Sequence, residues 1–247
     1  MSRRTLRRVY VIATVGMIAT SSPIWGPHLF RLLPGTTVQH VGVVGARFVG
    51  PAQVMSLAAI PDDASVWDDY APVEERLSAH ALIEEVRIRR TGLHTLEIAV
   101  TEVEPVALIA MPRLGVADAE GQVLPLDPIA ARLKLPVLGG LAEVDEQSGQ
   151  LTDPERIRVL AAIGRLGREN PEFLSQVSEV RFLAPDGMEL LLVDLRHAER
   201  ILLPLSNPVG SLTRIETALD AFTGPRPVRS ADGRFRNQVV LALEGTH

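Results

Sequence analysis

The sequence contains no cysteine among its 247 residues, and only 4% of its side chains are aromatic. The absence of cysteine excludes disulfides, thiolate metal sites and cysteine nucleophiles. The scarcity of aromatic side chains argues against the stacking platforms that bind single-stranded nucleic acid. A net charge of −5 also makes the chain a poor candidate for wrapping a phosphate backbone. We therefore expect no nucleic-acid partner and no cysteine-dependent chemistry.

Motifs of the other catalytic classes are missing as well. The sequence has no G-x-S-x-G elbow, and its histidines form neither H-x-H nor H-E-x-x-H. The run Gly42–Gly50 has the wrong spacing for a dinucleotide loop, so we interpret its glycines as turn and close-packing residues. Glu102 and Glu104 would share a strand face, but no apolar surroundings are evident, and we interpret them as a solvated rim. We expect no enzymatic activity, no cofactor and no metal.

The amino terminus has the charge pattern of a membrane anchor. Four arginines within the first eight residues precede a segment without formal charge, residues 9–30. A membrane-spanning helix needs about 17–25 predominantly apolar residues, and an arginine cluster stays on the cytoplasmic side. We predict a cytoplasmic basic tail over 1–8, a transmembrane helix over 9–30, and the rest of the chain outside the cytoplasm.

Two other interpretations of this segment remain open. A cleaved signal peptide fits Val9 to Ala19, since small residues follow at Thr20 and Ser21. The run "SRRTL" is also similar to a twin-arginine export signal. A buried helix is the other alternative. An anchor and a cleaved signal both place the body of the protein outside the cytoplasm.

The pattern of apolar, polar and proline residues in region 37–104 predicts five secondary-structure elements. A valine-rich strand is followed by two helices, whose starts are marked by Pro51 and Pro72. Two strands with alternating apolar and polar residues then flank a turn at Gly92. The predicted order is strand, helix, helix, strand, strand. A register that keeps the apolar faces together places Glu97 opposite Arg87 or Arg89.

The region 105–247 predicts a strand-rich α+β domain with predominantly antiparallel connections. Hairpins are expected around Asp118–Gly121 and Pro185–Gly187. Asp153 is the expected N-cap of a long helix that has Pro154 at its first position. A last helix and a final strand, in "FRNQVVLALE", complete the pattern.

Several motifs in this chain resemble one family. They are "VQHVGVVGARFVGPAQV", the closing "DGRFRNQVVLAL", and a run of the form "TL-x-I-x-V-x-E-x-x-PVA" that starts at Thr95 and ends at Ala107. The sequence is similar, over nearly its whole length, to the bacterial cell-division family FtsQ, also called DivIB. The resemblance implies a POTRA (polypeptide-transport-associated) domain over 37–104 and an FtsQ-type β domain over 105–247.

The function that the resemblance implies is a non-enzymatic scaffold. Such a protein binds the small coiled-coil partners FtsB and FtsL and links early and late division proteins. It is anchored by a single type II span in the cell inner (plasma) membrane. Its body lies in the periplasm, or outside the cell, at the division septum. The alternative is an exported POTRA-containing protein of envelope assembly or secretion.

The expected binding site is an open strand edge, because unpaired backbone groups can accept a strand from another chain. In the family the partner docks on the late strands. Phe235 would be the apolar anchor and Arg234 the charged contact. The positions matched here are Arg234, Phe235, Asn237, Gln238, Val239 and Val240. An ordinary terminal strand with a core phenylalanine is the other interpretation. A second candidate edge comprises Val41, Val43 and Val44.

Overall fold

The computed structural model describes residues 36–193 and 198–245, and the chain divides into two compact units, Met1–Glu102 and Val103–His247. The predicted tail 1–8 and the predicted transmembrane helix 9–30 lie outside the described residues. Among the residues that are described, no helix has both the length and the apolar character needed to cross a membrane.

The first unit has the predicted order of strand, helix, helix, strand, strand. Its elements are β1 (His40–Val44), α1 (Pro51–Ala58), α2 (Ala71–Ser78), β2 (Ile83–Arg90) and β3 (Thr95–Glu102). Both helices have a proline in the first turn, where the missing N–H costs nothing. Their buried residues lie on one face of each helix and are Val54 and Ala58 in α1, and Val73 and Leu77 in α2.

The sheet of the first unit has the order β1-β3-β2, with β3 at its centre. β3 pairs in parallel with β1 and antiparallel with β2. Its inward residues Leu96, Ile98 and Val100 are buried. Arg89 lies directly opposite Glu97, which confirms the predicted register. Opposite charges at such a cross-strand position stabilise the pairing modestly.

Gly45 allows the chain to leave β1 close to the central strand. Its backbone has φ of +83°, in the region that favours glycine, and an added Cβ would lie 2.0 Å from the carbonyl oxygen of Val100. The close approach is therefore possible only without a side chain.

The second unit has nine strands and three helices within the described residues. The strands are β4 (Ala107–Ala110), β5 (Leu114–Ala117), β6 (Val123–Leu124), β7 (Val137–Leu141), β8 (Val177–Leu183), β9 (Gly187–Leu192), β10 (Arg200–Pro204), β11 (Val228–Asp232) and β12 (Val240–Leu243). The helices are α3 (Pro154–Glu169), α4 (Pro171–Leu174) and α5 (Pro208–Asp220). The strands form one sheet in the order β12-β11-β10-β9-β8-β7-β4-β5-β6.

The second domain is predominantly antiparallel, as predicted, since five of its eight neighbouring strand pairs are antiparallel, but the sheet is mixed. Three neighbouring pairs are parallel, namely β4–β7, β7–β8 and β10–β11. Two of these pairs are joined by helices: α3 and α4 connect β7 to β8, and α5 connects β10 to β11. A parallel pair needs a crossover of this kind, since a tight turn can only reverse the chain.

Helix α3 supplies much of the core of the second unit. Its predicted start is confirmed: Asp153 is the N-cap, its side chain accepts a hydrogen bond from the Glu155 N–H, and Pro154 follows. Five of its apolar side chains are fully buried, namely Val159, Leu160, Ala162, Ile163 and Leu166. The buried face of α3 is therefore wider than a single apolar stripe.

The final strand is shorter than predicted. The expected strand began at Phe235, but β12 begins at Val240, and residues 233–239 form the loop between β11 and β12. The physical reason lies at the start of this loop. The Asp232 carboxylate accepts a hydrogen bond from the Arg234 N–H two residues later, a local turn that ends β11 and competes with strand pairing.

We predict that Gly45→Ala destabilises the first unit by about 3 kcal/mol, since both its positive φ and its contact with Val100 oppose a side chain. Gly42→Ala is the matched control, because the nearest atom to an added Cβ there is 4.0 Å away. Denaturant unfolding followed by tryptophan fluorescence checks this, since Trp67 lies between α1 and α2. Equal stability of the two variants would contradict the prediction.

Candidate protein-binding edge

Strand β12 forms one edge of the nine-stranded sheet and pairs only with β11 among the described residues. Val240 and Ala242 are exposed, whereas Leu241 and Leu243 pack against the core. The strand contains no charged residue, proline or glycine. Natural edge strands usually carry such features to prevent pairing with another chain. β12 therefore has the properties of an edge that accepts a strand.

The opposite edge of the same sheet is closed by the chain itself. The N–H of Val123 in β6 donates to the carbonyl of Gly149, and the N–H of Leu151 donates to that of Gly121, both at 2.9 Å. An isolated bridge joins Gln122 to Gln150 in the same segment. The two edges of the sheet thus differ, and the closed one is not available for strand addition.

The loop that leads into β12 is held by an ion pair. The Arg234 guanidinium binds the Asp232 carboxylate through two contacts, Nε–Oδ1 at 3.0 Å and Nη2–Oδ2 at 2.7 Å. The N–H of Gly233 donates to the carbonyl of Leu202 in β10 at 2.9 Å. These bonds fix the start of the loop against the sheet.

The ion pair changes the protonation properties of both groups. Burial by itself would raise the pKa of Asp232, but the hydrogen bonds and charge of Arg234 outweigh it, so this pKa is lowered. The hydrogen bond to Asp232 raises the pKa of Arg234. The predicted charged contact therefore already has a partner within the chain, which reduces the charge it offers to another protein.

Phe235 is 49% exposed, so it is not a core phenylalanine. Together with Arg234 it lines an open groove of about 430 Å³. The other walls are the β8–β9 turn, around Pro185, and the end of β10, at Pro204 and Ser206. Phe235 thus lies in the loop that leads into β12 and faces the ends of the neighbouring strands, and an exposed aromatic ring in a groove is a common apolar anchor at an interface.

The structure brings the other predicted positions to the same end of the sheet, but not in one strand. Asn237 and Gln238 are exposed in the loop, and Val240 is the first residue of β12 and 49% exposed. Val239 instead packs against the hydrophobic core. A substitution at Val239 would therefore change the stability of the fold as well as any binding surface.

The two edges of the sheet in the first unit also differ. β1 is an edge strand in which Val44 is 46% exposed, while Val41 and Val43 are half-buried. At the other edge, the N–H of Ile88 in β2 donates to the Glu74 carboxylate of α2. The predicted second edge, β1, is thus the one that lacks such a side-chain contact among the described residues.

Glu102 is not the solvated rim residue that the sequence indicated. Its carboxylate accepts hydrogen bonds from three consecutive backbone N–H groups, those of Arg47, Phe48 and Val49, at 2.8–3.0 Å. Such successive N–H groups form an anion-binding nest. In the sequence, the only indication of this role was that residues 47–49 lie just before a helix, where free backbone N–H groups need hydrogen-bond acceptors. Glu104, by contrast, is exposed.

No metal site is found in the part of the chain that the structure describes, since no three of its histidine, aspartate and glutamate side chains are grouped to hold an ion. His80 has a local role instead, since its Nδ1 accepts a hydrogen bond from the backbone N–H of Leu82, with 3.2 Å between the two nitrogens.

Comparison with known sequences places residues 36–102 in the POTRA domain, FtsQ-type. The chain is 27% identical over 177 residues to the cell division protein FtsQ of Myxococcus fulvus, a match that covers 68% of this chain and 61% of the relative. It is 28% identical over 255 residues to FtsQ of Rhodothermus marinus, covering 98% and 88%. FtsQ of Anaeromyxobacter sp. is 26% identical over 242 residues, covering 95% and 82%.

The chain spans about three fifths of the length of the FtsQ proteins of Myxococcus fulvus and Geobacter sp.. The fold and these matches together define the class of protein: it has an FtsQ-type POTRA domain followed by a strand-rich α+β region. Within that class the predicted resemblance is confirmed: residues 36–102 match the FtsQ-type POTRA domain, and the chain is similar to FtsQ cell-division proteins over 68–98% of its length.

We predict that Glu102→Ala destabilises the first unit by about 1–3 kcal/mol, because three N–H groups lose their acceptor. Glu104→Ala, at the exposed neighbour, is the control and should change stability by less than about 0.5 kcal/mol. Denaturant unfolding of both variants measures the difference. A neutral Glu102→Ala would show that the nest does not hold the loop.

The lowered pKa of Asp232 makes its contribution to stability pH-dependent. The ionised form is favoured by folding, so the contribution is full above the ordinary value of 3.8 and is lost as pH falls through the lowered pKa. We expect Asp232→Asn to reduce the free energy of unfolding by about 1 kcal/mol at pH 7, with the difference fading below pH 3.8.

Unfolding of the wild type and of Asp232→Asn at several pH values checks this expectation. Glu199→Gln is the matched control, since Glu199 forms a longer and more exposed pair with Arg229, at 3.9 Å. A pH-independent difference for Asp232→Asn, or an equal loss in the control, would contradict it.

Proposed function

We propose that this chain is a non-enzymatic, membrane-anchored scaffold of the division machinery that receives a strand from an FtsB- or FtsL-like partner along β12. The observation that carries the proposal is the asymmetry of the nine-stranded sheet. Its β6 edge is closed by the chain, whereas the uncharged β12 edge pairs on one side only among the described residues.

In the proposed complex, an extended partner segment continues the sheet beyond β12. Four residues span about 14 Å, so only a few backbone hydrogen bonds form, each worth about 1 kcal/mol. Backbone pairing alone would therefore bind weakly. Val240 and Phe235 supply apolar contacts beside the edge, and burial of one such side chain contributes about 1.5–3 kcal/mol.

The remaining parts of the proposal follow from the amino terminus and the first unit. Residues 9–30 would anchor the chain as a single type II span in the inner (plasma) membrane, with the basic tail 1–8 in the cytoplasm. The body would lie in the periplasm, or outside the cell, at the septum. There it would link early and late division proteins, with the β1 edge at Val41, Val43 and Val44 as a second surface for partners.

Phe235→Ala should weaken binding of the FtsB- or FtsL-like partner at least about thirtyfold, because it removes the apolar anchor. Ile129→Ala is the matched control, since Ile129 is an apolar side chain that is 83% exposed and is far from β12 in the sequence. Pulldown and titration with the partner measure binding, and far-UV circular dichroism verifies folding. Unchanged binding by the folded Phe235→Ala variant would discard the anchor.

The edge itself is tested with Val240→Glu, which introduces a charge into β12 and should prevent strand addition. Leu93→Glu is its control, because Leu93 is 72% exposed in the β2–β3 turn of the other unit. Val239→Glu is unsuitable, since Val239 packs against the core. If Val240→Glu and Leu93→Glu bind the partner equally well, β12 is not the docking edge.

A further inference from the structure

The second unit has another open groove, which shares no lining residue with the one beside Phe235. Its volume is about 600 Å³, and it lies between the end of α3 with α4 on one side and α5 on the other. The apolar part is formed by Phe173, Leu192, Ile201 and Leu219. Four carboxylates border it, namely Glu169, Glu172, Glu216 and Asp220. We refer to these eight residues as the acidic groove.

Among the described residues, the charged side chains that line the acidic groove are all carboxylates, and the neutral polar residues beside them are Asn170 and Gln176. Within the residues that the structure describes, none of the four carboxylates takes part in an ion pair, although seven arginines of the chain do. All four are exposed, so solvent screens their mutual repulsion, but together they give the groove a negative potential that attracts a cationic group.

The two long helices add to this negative potential. α3 ends at Glu169 and α5 ends at Asp220, so both direct a carboxyl-terminal end towards the acidic groove. A helix carries a partial negative charge at this end, where acidic residues are unfavourable and basic residues are preferred. The last turn of α5 contains no basic residue, whereas that of α3 contains Arg168. This placement opposes helix stability and favours binding of a cation.

The apolar part of the groove narrows the class of ligand. A bare cation would use the carboxylates but would leave Phe173, Leu192 and Leu219 without a contact. Anionic lipid headgroups and nucleic acids would be repelled by the carboxylates. An arginine or lysine side chain next to an apolar residue satisfies both parts, since its aliphatic stem packs on apolar surface and its head reaches the rim.

We propose that the acidic groove binds an amphipathic segment of a partner protein, with arginine or lysine residues flanking an apolar side chain. This surface goes beyond strand addition at β12 and is independent of it, because the two share no residue. Substitutions at Phe235 or Val240 should leave this binding unchanged, so failure of one proposal is distinguishable from failure of the other.

The probes are three fluorescein-labelled helical peptides of equal length. The first carries arginines flanking leucines, the second has glutamates in place of the arginines, and the third has serines in place of the leucines. Anisotropy titrations with the full chain should show binding of the first peptide and at least about tenfold weaker binding of the other two. Raising the salt concentration should weaken binding of the first peptide, because exposed charges are screened.

Glu216→Gln combined with Asp220→Asn should weaken binding of the first peptide by about tenfold, because two carboxylates on the α5 side are neutralised. Glu143→Gln combined with Glu146→Gln is the matched control, with the same change in net charge at two exposed residues outside the groove. Equal loss in both double variants would indicate attraction by overall charge and would overturn the proposal.

Thermal unfolding distinguishes a role of these two carboxylates in binding from a role in stability. Neutralising Asp220 at the end of α5 and Glu216 one turn before it relieves their repulsion with the helix end, so the Glu216→Gln and Asp220→Asn double variant should be at least as stable as the wild type. Weaker binding with undiminished stability supports a binding role. Binding that equals the wild type, or equal binding of the arginine and glutamate peptides, discards the groove as a site for basic segments.

Discussion

Backbone hydrogen bonding at the two ends of the nine-stranded sheet is the constraint on which the functional surface depends. Every strand needs partners for its N–H and C=O groups, and a sheet that does not close into a barrel leaves two edges. The chain closes the β6 edge with the segment around Gly149 and Leu151, and it leaves β12 paired only with β11 among the described residues. The capacity to receive a strand is therefore a property of the sheet, and Phe235 offers an exposed apolar side chain in the loop that leads into β12.

Carboxylates in this protein fall into two groups according to what they bind. Glu102 accepts three backbone N–H groups and Asp232 pairs with Arg234, so both hold a loop in place. The carboxylates of the acidic groove have no ion pair in the described parts of the chain, and three of them, Glu169, Glu216 and Asp220, lie near the carboxyl ends of α3 and α5. The role of the first group is to stabilise the fold. The second opposes stability locally, which is why we assign it to binding.

The elements that local pattern defines were predicted well, and those that depend on distant pairing were not. Alternation around Gly92 and the prolines at Pro51 and Pro72 led to the correct order and register of the first unit. Alternation cannot reveal which strands become neighbours, so the three parallel pairs of the second unit were missed. Residues 235–239 were misassigned to a strand, because the turn formed by Asp232 and Arg234 depends on a side-chain hydrogen bond.

The sequence by itself determined the helices and hairpins, the family, and the residues from which a binding edge is built, since periodicity and turn residues act over short distances. Only the tertiary structure decided which of these residues face solvent. It placed Val239 in the core and Val240 at the edge, bound Glu102 to a loop more than 50 residues away, and brought the ends of α3 and α5 to one groove. The reason is that edges, nests and grooves are formed by segments far apart in the chain, whose meeting depends on packing of the whole unit.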